Sequence, residues 1–357
     1  MAALLEGGSE IPSLDVSGVK RLLLGVERAI TANRTLRVKH AGEPLKYLDS
    51  EVGLDTALKG LQALAAAPEH YGVLVGSGTL PSLLDLLTHE NVDISSSVVS
   101  LLAELLGEEE AGEDAAGLEA ASRRALLQAL HAAGALELIC HTAARFHASA
   151  TAAAAAAASS ATQADNAARD SEALLATLEL LQSALALRPD LAAHLCAMQP
   201  PVLLATLLAR LLPASSSASG VSALEEGRFA ASELLAVLVM PGGGALECAK
   251  AVGAGCALGG SSSSSSSSGG AVVTGIEALL QALAEFRRRA PAGAAEEEFI
   301  GNVFDTLCSC LVSASRHKCA PHHMLSLPHS RTPTTPTPHP SAAMPACARE
   351  QGLFPGQ

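Results

Sequence analysis

The chain has 357 residues and a formal net charge of −13, with 49% apolar residues but only 2% aromatic residues and no tryptophan. Cores rich in Ala and Leu suit close helix packing, whereas β-sheets favour branched and aromatic side chains, so the composition indicates an all-α fold. The acidic balance argues against a broad phosphate-binding surface, because nucleic-acid affinity depends on clustered Lys and Arg. It fits either a partner with basic segments or a protein kept monomeric by its charge.

The cysteines and the apolar runs indicate an intracellular protein. Eight cysteines are spread along the chain, and the N-terminal residues MAALLEGGSE carry no basic leader, so we expect reduced thiols and no secretory signal. The apolar run at 202–212 is too short to span a membrane and contains Arg210. We therefore expect no membrane partner.

After an N-terminal end at 1–14 that is expected to be flexible, the chain has the pattern of successive amphipathic helices. Apolar residues recur at helical spacing over 16–30 and again over 55–67, where Pro68 stops the pattern. Between the two helices, a basic segment ends at a Gly-Glu-Pro breaker.

The stretch 71–106 is the best-defined unit of the series. Gly78 breaks the chain, and Pro81 suits the first turn of the helix that restarts there. Two apolar stripes follow on either side of a polar turn: Leu80, Leu83, Leu84 and Leu87 on the first helix, and Val98, Leu101, Leu102 and Leu105 on the second. Neither helix of this antiparallel pair can bury its stripe alone, so each needs neighbours of the same kind. The stretch predicts a stack of helical repeats, an armadillo/HEAT-like α-solenoid.

The later helices are separated by low-complexity segments of unequal length. Helical patterns occupy 123–146, 172–187, 202–212, 224–240, 272–288 and 296–313. Segments rich in Ala, Ser and Gly predict loop insertions near 108–120, 148–168, 213–222 and 241–271. The repeat domain is therefore predicted to span 15–315. Residues 316–357 are rich in Pro, His and Thr and are expected to be disordered.

One polar stripe in the central pair is a candidate for recognition of basic partner groups. It lies on the second helix, on the face opposite the apolar stripe, and acidic residues stand nearby in sequence. The predicted protein-binding residues are Asp85, Glu90, Asp93, Ser97, Ser100 and Glu104. A solvated helix face without a partner is the alternative interpretation.

No catalytic, cofactor-binding or metal-binding residues are predicted. Cys308 and Cys310 precede Cys319, His322 and His323, which raises the alternative of a metal site. On a helix the first two point about 200° apart, and structural zinc sites separate paired cysteines by two to four residues, so the spacing favours a structural role. Nucleophile elbows, phosphate loops and zinc-protease motifs do not occur in the sequence. A metal-dependent or hydrolytic enzyme is therefore the alternative from a different functional class.

Residues 74–106 resemble an armadillo repeat, with a glycine, an apolar helix that has proline in its first turn, a polar turn and a long final helix. Importin-type armadillo proteins carry Trp and Asn on that final helix, where this chain has Ser100 and Glu104. The later helices offer Leu180, Val237 and Ser309 at the Asn position. The resemblance therefore does not extend to an importin-like ladder that holds an extended peptide backbone.

Three blocks of sequence resemble a more specific family. They are NRTLRVK at 33–39, YLDSEVGL at 47–54 with its continuation to Leu106, and FDTLCSCL at 304–311. In this order they are similar to the β-catenin-like protein 1 family of spliceosome-associated armadillo proteins. The similarity covers roughly 15–315, and the members of that family are much longer. We therefore expect a chain that is C-terminally truncated relative to the family and that carries an unrelated tail.

The resemblance implies a function. It implies a nuclear, non-catalytic scaffold associated with the NineTeen complex of the spliceosome, which binds basic, localisation-signal-like segments of splicing factors. Because the chain is acidic and carries no cofactor motif, we expect no cofactor and no direct contact with nucleic acid, and self-association is left open. A generic armadillo adaptor outside splicing is the alternative.

Overall fold

Helices make up all of the regular structure in the described part of the chain. The structure is a computed structural model that describes residues 14–107, 113–156, 160–212, 221–240, 245–254 and 274–318. Within these ranges there are fourteen α-helices and no strands. The helices are α1 (Val16–Lys39), α2 (Leu48–Leu61), α3 (Tyr71–Gly76), α4 (Thr79–Asp85), α5 (Val92–Leu106), α6 (Glu113–Ala132), α7 (Ala135–Ala156), α8 (Ala161–Leu187), α9 (Leu191–Ala197), α10 (Val202–Leu211), α11 (Val221–Val239), α12 (Ala245–Ala254), α13 (Gly275–Ala284) and α14 (Ala294–Lys318).

The helices recur as three-helix units. The pair α1–α2 is followed by α3–α4–α5, α6–α7–α8, α9–α10–α11 and α12–α13–α14. The final helices of successive units pack in series, α2 on α5, α5 on α8, α8 on α11 and α11 on α14. The middle helices α7, α10 and α13 also pack in series. Because each unit buries its apolar faces against its neighbours, this is the α-solenoid that the sequence predicted.

The central stretch contains three helices, one more than the predicted pair. Gly78 has a φ of +78°, in the left-handed region that favours glycine, and it separates the short α3 from α4. The Tyr71 hydroxyl donates a hydrogen bond of 2.9 Å to the carbonyl of Leu105, which ties α3 to the end of α5. The two predicted apolar stripes are confirmed, since all eight of their residues are buried.

The predicted loop insertion at 148–168 was wrong where the structure describes it. Helix α7 continues through Ala156, and α8 begins at Ala161. Alanine has the highest helix propensity, so a run of alanines extends a helix that is already anchored. Ala150 and Ala153 are buried in the extension, and the Ser149 hydroxyl donates to the Asp170 carboxylate of α8.

The predicted insertion at 241–271 also contains a helix. Helix α12 lies inside it and is the first helix of the last unit, with Cys248, Ala249 and Val252 buried. The insertions near 108–120 and 213–222 overlap the starts of α6 and α11, while residues 108–112 and 213–220 lie outside the described residues. These helix starts are rich in Ala, Ser and Gly, and this composition concealed their apolar periodicity.

The last described helix extends past the predicted end of the domain at 315. Helix α14 ends at Lys318, so residues 316–318 are helical, and the predicted disordered tail from 319 onward lies outside the described residues. No single helix in the described ranges is long and apolar enough to cross a membrane; α9 and α10 reach that length and hydropathy only as a pair bent by 88°.

Candidate protein-binding site

A groove of about 450 Å³ runs between α2 and α5, the final helices of the first two units. We call it the α2–α5 groove. The residues that line it recur every three or four positions on each helix: Leu48, Glu51, Val52, Asp55, Lys59 and Gln62 from α2 and the turn after it, and Asn91, Asp93, Ile94, Ser96, Ser97 and Ser100 from α5 and its N-cap. This spacing places the residues of each helix on one face, so the groove is lined by two facing polar stripes.

Asp55 is held in its charged form in the middle of the groove. Its carboxylate accepts hydrogen bonds from the Ser97 hydroxyl at 2.6 Å and from the Lys59 ammonium at 2.7 Å. Burial alone would raise the pKa of Asp55, but these two hydrogen bonds outweigh it and hold the pKa below its ordinary value. The groove therefore carries a fixed carboxylate at neutral pH, together with the cation that pairs with it.

Glu51 is a second carboxylate of the groove and is almost completely buried. It pairs with the Arg37 guanidinium and accepts a hydrogen bond of 2.9 Å from the Asn91 amide. Arg37 also pairs with Glu90 and stacks over the Tyr47 ring, with 4.8 Å between Cζ and the ring centroid. These contacts give the basic segment at 33–39 a structural role, because its arginine joins α1 to α2 and to the turn before α5.

Asp93 is the most accessible carboxylate of the groove. Its side chain is 53% exposed and lies 3.5 Å from the 54% exposed side chain of Arg169 on α8. Ion pairs as exposed as this one contribute about 0–1 kcal/mol to the stability of the fold, so an incoming cation can replace Arg169 at little cost in free energy. Of the acidic residues in the groove, Asp93 is the one best placed to exchange partners.

The structure brings three of the six predicted binding residues together in the α2–α5 groove: Asp93, Ser97 and Ser100. The pairing of Ser97 with Asp55 shows why the hydroxyl stripe matters, since it orients an acidic side chain across the groove. Glu104 is exposed in the last turn of α5 and does not line this groove.

The structure places the other two predicted residues in a neighbouring groove of about 290 Å³. Asp85 and Glu90 line it with Arg34 and Arg37 from α1. Asp85 lies 3.7 Å from Arg34, with both side chains mostly exposed, and Glu90 pairs with Arg37. Here acidic and basic side chains alternate, so this groove has less net negative charge than the α2–α5 groove.

Sequence reasoning missed the α2 side of the site. Glu51, Asp55 and Lys59 follow one another at four-residue intervals, which would have placed all three on one helix face. That signal was present in the sequence, but α2 is separated from α5 by three 3-10 turns and two short helices. Their proximity follows from the packing of α2 on α5.

The cysteine motif near the end of α14 does not form a metal site in the described residues. Cys308 is exposed and Cys310 is buried, as expected for helical positions that point apart. Burial raises the pKa of the Cys310 thiol to about 11, so it stays protonated at neutral pH. Cys319, His322 and His323, the remaining members of the motif, lie outside the described residues.

Comparisons with known proteins agree with this architecture. A family model described as catenin-beta-like, Arm-motif containing nuclear, matches residues 4–319. Beta-catenin-like protein 1 of Rattus norvegicus and that of Homo sapiens are each 28% identical over 305 residues, which cover 85% of this chain and 45% of each relative. The Beta-catenin-like protein 1 homolog of Schizosaccharomyces pombe is 25% identical over 313 residues, covering 88% of this chain and 46% of the relative.

The chain therefore spans just under half the length of these relatives. Because the family model covers almost all of the helical units, the chain belongs to the catenin-beta-like family of Arm-motif-containing nuclear proteins.

Proposed function

We propose that this protein is a non-catalytic nuclear scaffold of the spliceosome, associated with the NineTeen complex, that binds basic segments of splicing factors in the α2–α5 groove. The observation that carries this proposal is the convergence of Glu51, Asp55 and Asp93 in one groove of an Arm-motif protein. Solenoids use the extended surfaces made by successive repeats for protein recognition.

The charges in the groove support a basic segment as the ligand. Asp55 and Glu51 are already paired with Lys59 and Arg37 within the protein, whereas Asp93 holds only an exposed pair with Arg169. A lysine or arginine of the partner would replace Arg169 at Asp93. The Ser96 and Ser100 hydroxyls beside it would accept further hydrogen bonds from a cationic side chain.

The binding step is tested by fluorescence anisotropy with the full chain and a labelled ten-residue peptide of alternating lysine and serine. We expect Asp93→Lys to weaken binding several-fold, because it replaces an attractive charge by a repulsive one. Glu69→Lys is the matched control, since Glu69 is exposed, lies outside the groove and undergoes the same change of charge. Equal weakening by both variants would show that net charge, and not the groove, attracts the peptide.

Glu104→Lys tests how far the site extends along α5. If the predicted stripe acts as one surface, Glu104→Lys lowers the affinity for the peptide as Asp93→Lys does and leaves the thermal unfolding transition unchanged. If binding is confined to the α2–α5 groove, the affinity of Glu104→Lys matches that of the Glu69→Lys control.

The cellular assignment is tested by purifying the tagged full chain from nuclear and cytoplasmic extracts and identifying the proteins that accompany it. We expect splicing factors with basic segments from the nuclear extract, and their loss with Asp93→Lys. Recovery of cytoplasmic partners alone would favour the alternative of an armadillo adaptor outside splicing.

A further inference from the structure

A larger groove, of about 830 Å³, crosses α8, α11 and the start of α14. We call it the α8–α14 groove. It is lined by Leu175, Glu179 and Gln182 from α8, by residues 226–233 of α11, and by residues around the turn that leads into α14. It therefore spans three successive final helices, at the opposite end of the series from the α2–α5 groove.

Three of the six phenylalanines in the chain line this groove: Phe229, Phe286 and Phe299. The rings of Phe286 and Phe299 are tilted by 47° with 6.0 Å between their centroids. Phe299 is buried, whereas Phe229 and Phe286 are only partly buried. In a chain with 2% aromatic residues, this concentration creates an apolar floor that the α2–α5 groove does not have.

The faces of two of these rings already contact guanidinium groups. Arg228 Cζ lies 4.9 Å from the centroid of Phe299, and Arg289 Cζ lies 4.6 Å from that of Phe286. Arg228 donates to the Glu285 carboxylate at 2.7 Å, and Arg289 donates to Glu296 at 2.6 and 2.8 Å. These contacts fix the aromatic side chains in place, so the floor is pre-organised for a ligand.

The rim of the groove is acidic. Glu179, Glu226, Glu233 and Glu296 line it together with Arg228, and Glu296 pairs with Arg289, so the four glutamates face two arginines and leave a net negative charge. The hydrogen bonds from Arg289 and from the backbone lower the pKa of Glu296 to about 2, so this carboxylate is ionised at neutral pH. Glu179 is exposed on α8, where it faces the groove from the side opposite α14.

We propose that the α8–α14 groove is a second docking site, and that its partner is a protein segment in which one bulky apolar side chain is flanked by lysine or arginine. The apolar side chain would pack on the floor formed by the phenylalanines, and the flanking cations would meet the glutamate rim. The proposal does not depend on the spliceosomal assignment, because it rests on this groove alone.

Charge distinguishes the candidate occupants. A second copy of this chain carries a net charge of −13 and is repelled by an acidic rim. Residues 319–357 contain two arginines and one glutamate, which gives a formal charge of only +1. A strongly basic segment of another protein complements the rim better than either of them.

The experiment is an anisotropy titration of the full chain with a labelled twelve-residue peptide that has one phenylalanine between two pairs of lysines in a glycine–serine background. Two matched peptides replace the phenylalanine by serine or the lysines by glutamine. We expect each to bind at least about tenfold more weakly than the parent, a difference of about 1.4 kcal/mol. Equal binding of the serine peptide would overturn the apolar anchor, and equal binding of the glutamine peptide would overturn the role of the rim.

Two variants on one helix locate the site. Glu179→Lys should weaken binding of the parent peptide at least about tenfold. Glu172 is also exposed on α8 but lies outside the groove, so Glu172→Lys should have little effect on binding. Equal effects of the two variants would overturn the proposal. Failure of the parent peptide to bind would also overturn it, and sedimentation of the full chain would then show whether a second copy covers the groove.

A photo-crosslinking version of the parent peptide, with benzoylphenylalanine at the apolar position, gives an independent readout. Crosslinks within 226–233 or 292–299 support the proposal, and the absence of crosslinks there contradicts it. Asp93→Lys in the α2–α5 groove should leave these crosslinks unchanged, whereas Glu179→Lys should remove them, so failure of the first site and failure of the second can be told apart.

Discussion

The burial of Leu102 gives the most direct test of the repeat packing. This residue of α5 is completely buried in the core that the successive units share. Replacing leucine by aspartate removes about 1.5–3 kcal/mol of apolar burial. It also places a carboxylate in an apolar environment, which costs several kcal/mol more unless the group becomes neutral.

The sum of these two terms approaches the whole stability of an ordinary domain, about 5–15 kcal/mol. We therefore expect Leu102→Asp to abolish the cooperative unfolding transition of the central units. Because each unit is stabilised by its neighbours, the loss should spread beyond α5. Leu102→Ala should give the graded version of the same effect, a loss of about 2–5 kcal/mol.

The assay is urea unfolding followed by circular dichroism at 222 nm. Leu24→Asp is the matched control, since Leu24 on α1 is 55% exposed and the same substitution there should lower the free energy of unfolding by only about 1–2 kcal/mol. An unchanged transition for Leu102→Asp would refute the assignment of this stripe to the core.

Three further expectations follow from single contacts. Arg37→Met should destabilise the chain on the order of 3 kcal/mol, because it leaves the buried carboxylate of Glu51 without its cation, and urea unfolding measures this loss. Burial, with a smaller contribution from a nearby arginine, lowers the pKa of His147 to about 4. Because the unfolded chain then binds a proton that the folded chain does not, stability should fall as the pH drops from about 6.5 towards 4, and His147→Gln should reduce the loss between pH 7.5 and 4.5 by a free energy on the order of 2 kcal/mol. Gly275→Ala should destabilise the fold by at least about 1–3 kcal/mol, because the alanine methyl group would overlap a backbone carbonyl of α12. Gly301→Ala, on an open helix face, should instead stabilise the fold by about 1 kcal/mol.

Each of these expectations has a result that contradicts it. Equal stability of wild type and Arg37→Met would mean that Glu51 is satisfied without the arginine. Parallel pH profiles for the wild type and His147→Gln would assign the acid sensitivity to other groups. If Gly275→Ala and the wild type have the same midpoint of thermal unfolding, α12 and α13 do not approach each other as closely as the structure describes.

The long helices could be predicted from the sequence because their apolar periodicity extends over several turns. Helices α8 and α10 end directly before Arg188-Pro189 and Leu212-Pro213, and Gly134, with a φ of +75°, separates α6 from α7 within the helical pattern at 123–146. A residue that cannot continue a helix is a strong local signal, because it acts through covalent geometry and needs no tertiary contact.

The first helices of the units could not be predicted in the same way. Helices α3 and α9 have only six and seven residues, too few for a helical period to emerge, and isolated helices of that length are unstable. They exist because the first helices of the next units cover them, α6 over α3 and α12 over α9. The same reasoning applies to α12, whose short side chains resemble those of the linkers around it.

The position of the site residues along the chain explains why only half of the predicted site lies in one groove. Asp93, Ser97 and Ser100 were identified from a single helix, and the groove is completed by Asp55 and Glu51 on a helix about forty residues earlier. A one-helix pattern defines a stripe but does not determine which neighbouring helix faces it. That choice is made by the packing of the units.

The two grooves differ in what they can discriminate, although both are acidic. In the α2–α5 groove the carboxylates are matched by hydroxyls and by resident cations, so the proposed basic ligand would be recognised mainly by charge, and recognition of this kind weakens with salt. In the α8–α14 groove the phenylalanine floor adds a requirement for an apolar side chain beside the cation, and apolar burial persists at high salt. A chain of identical repeats would offer the same groove at every position. If both proposals hold, the clustering of Phe229, Phe286 and Phe299 in the last two units would make one end of the series selective for sequence, while the other end would respond to charge.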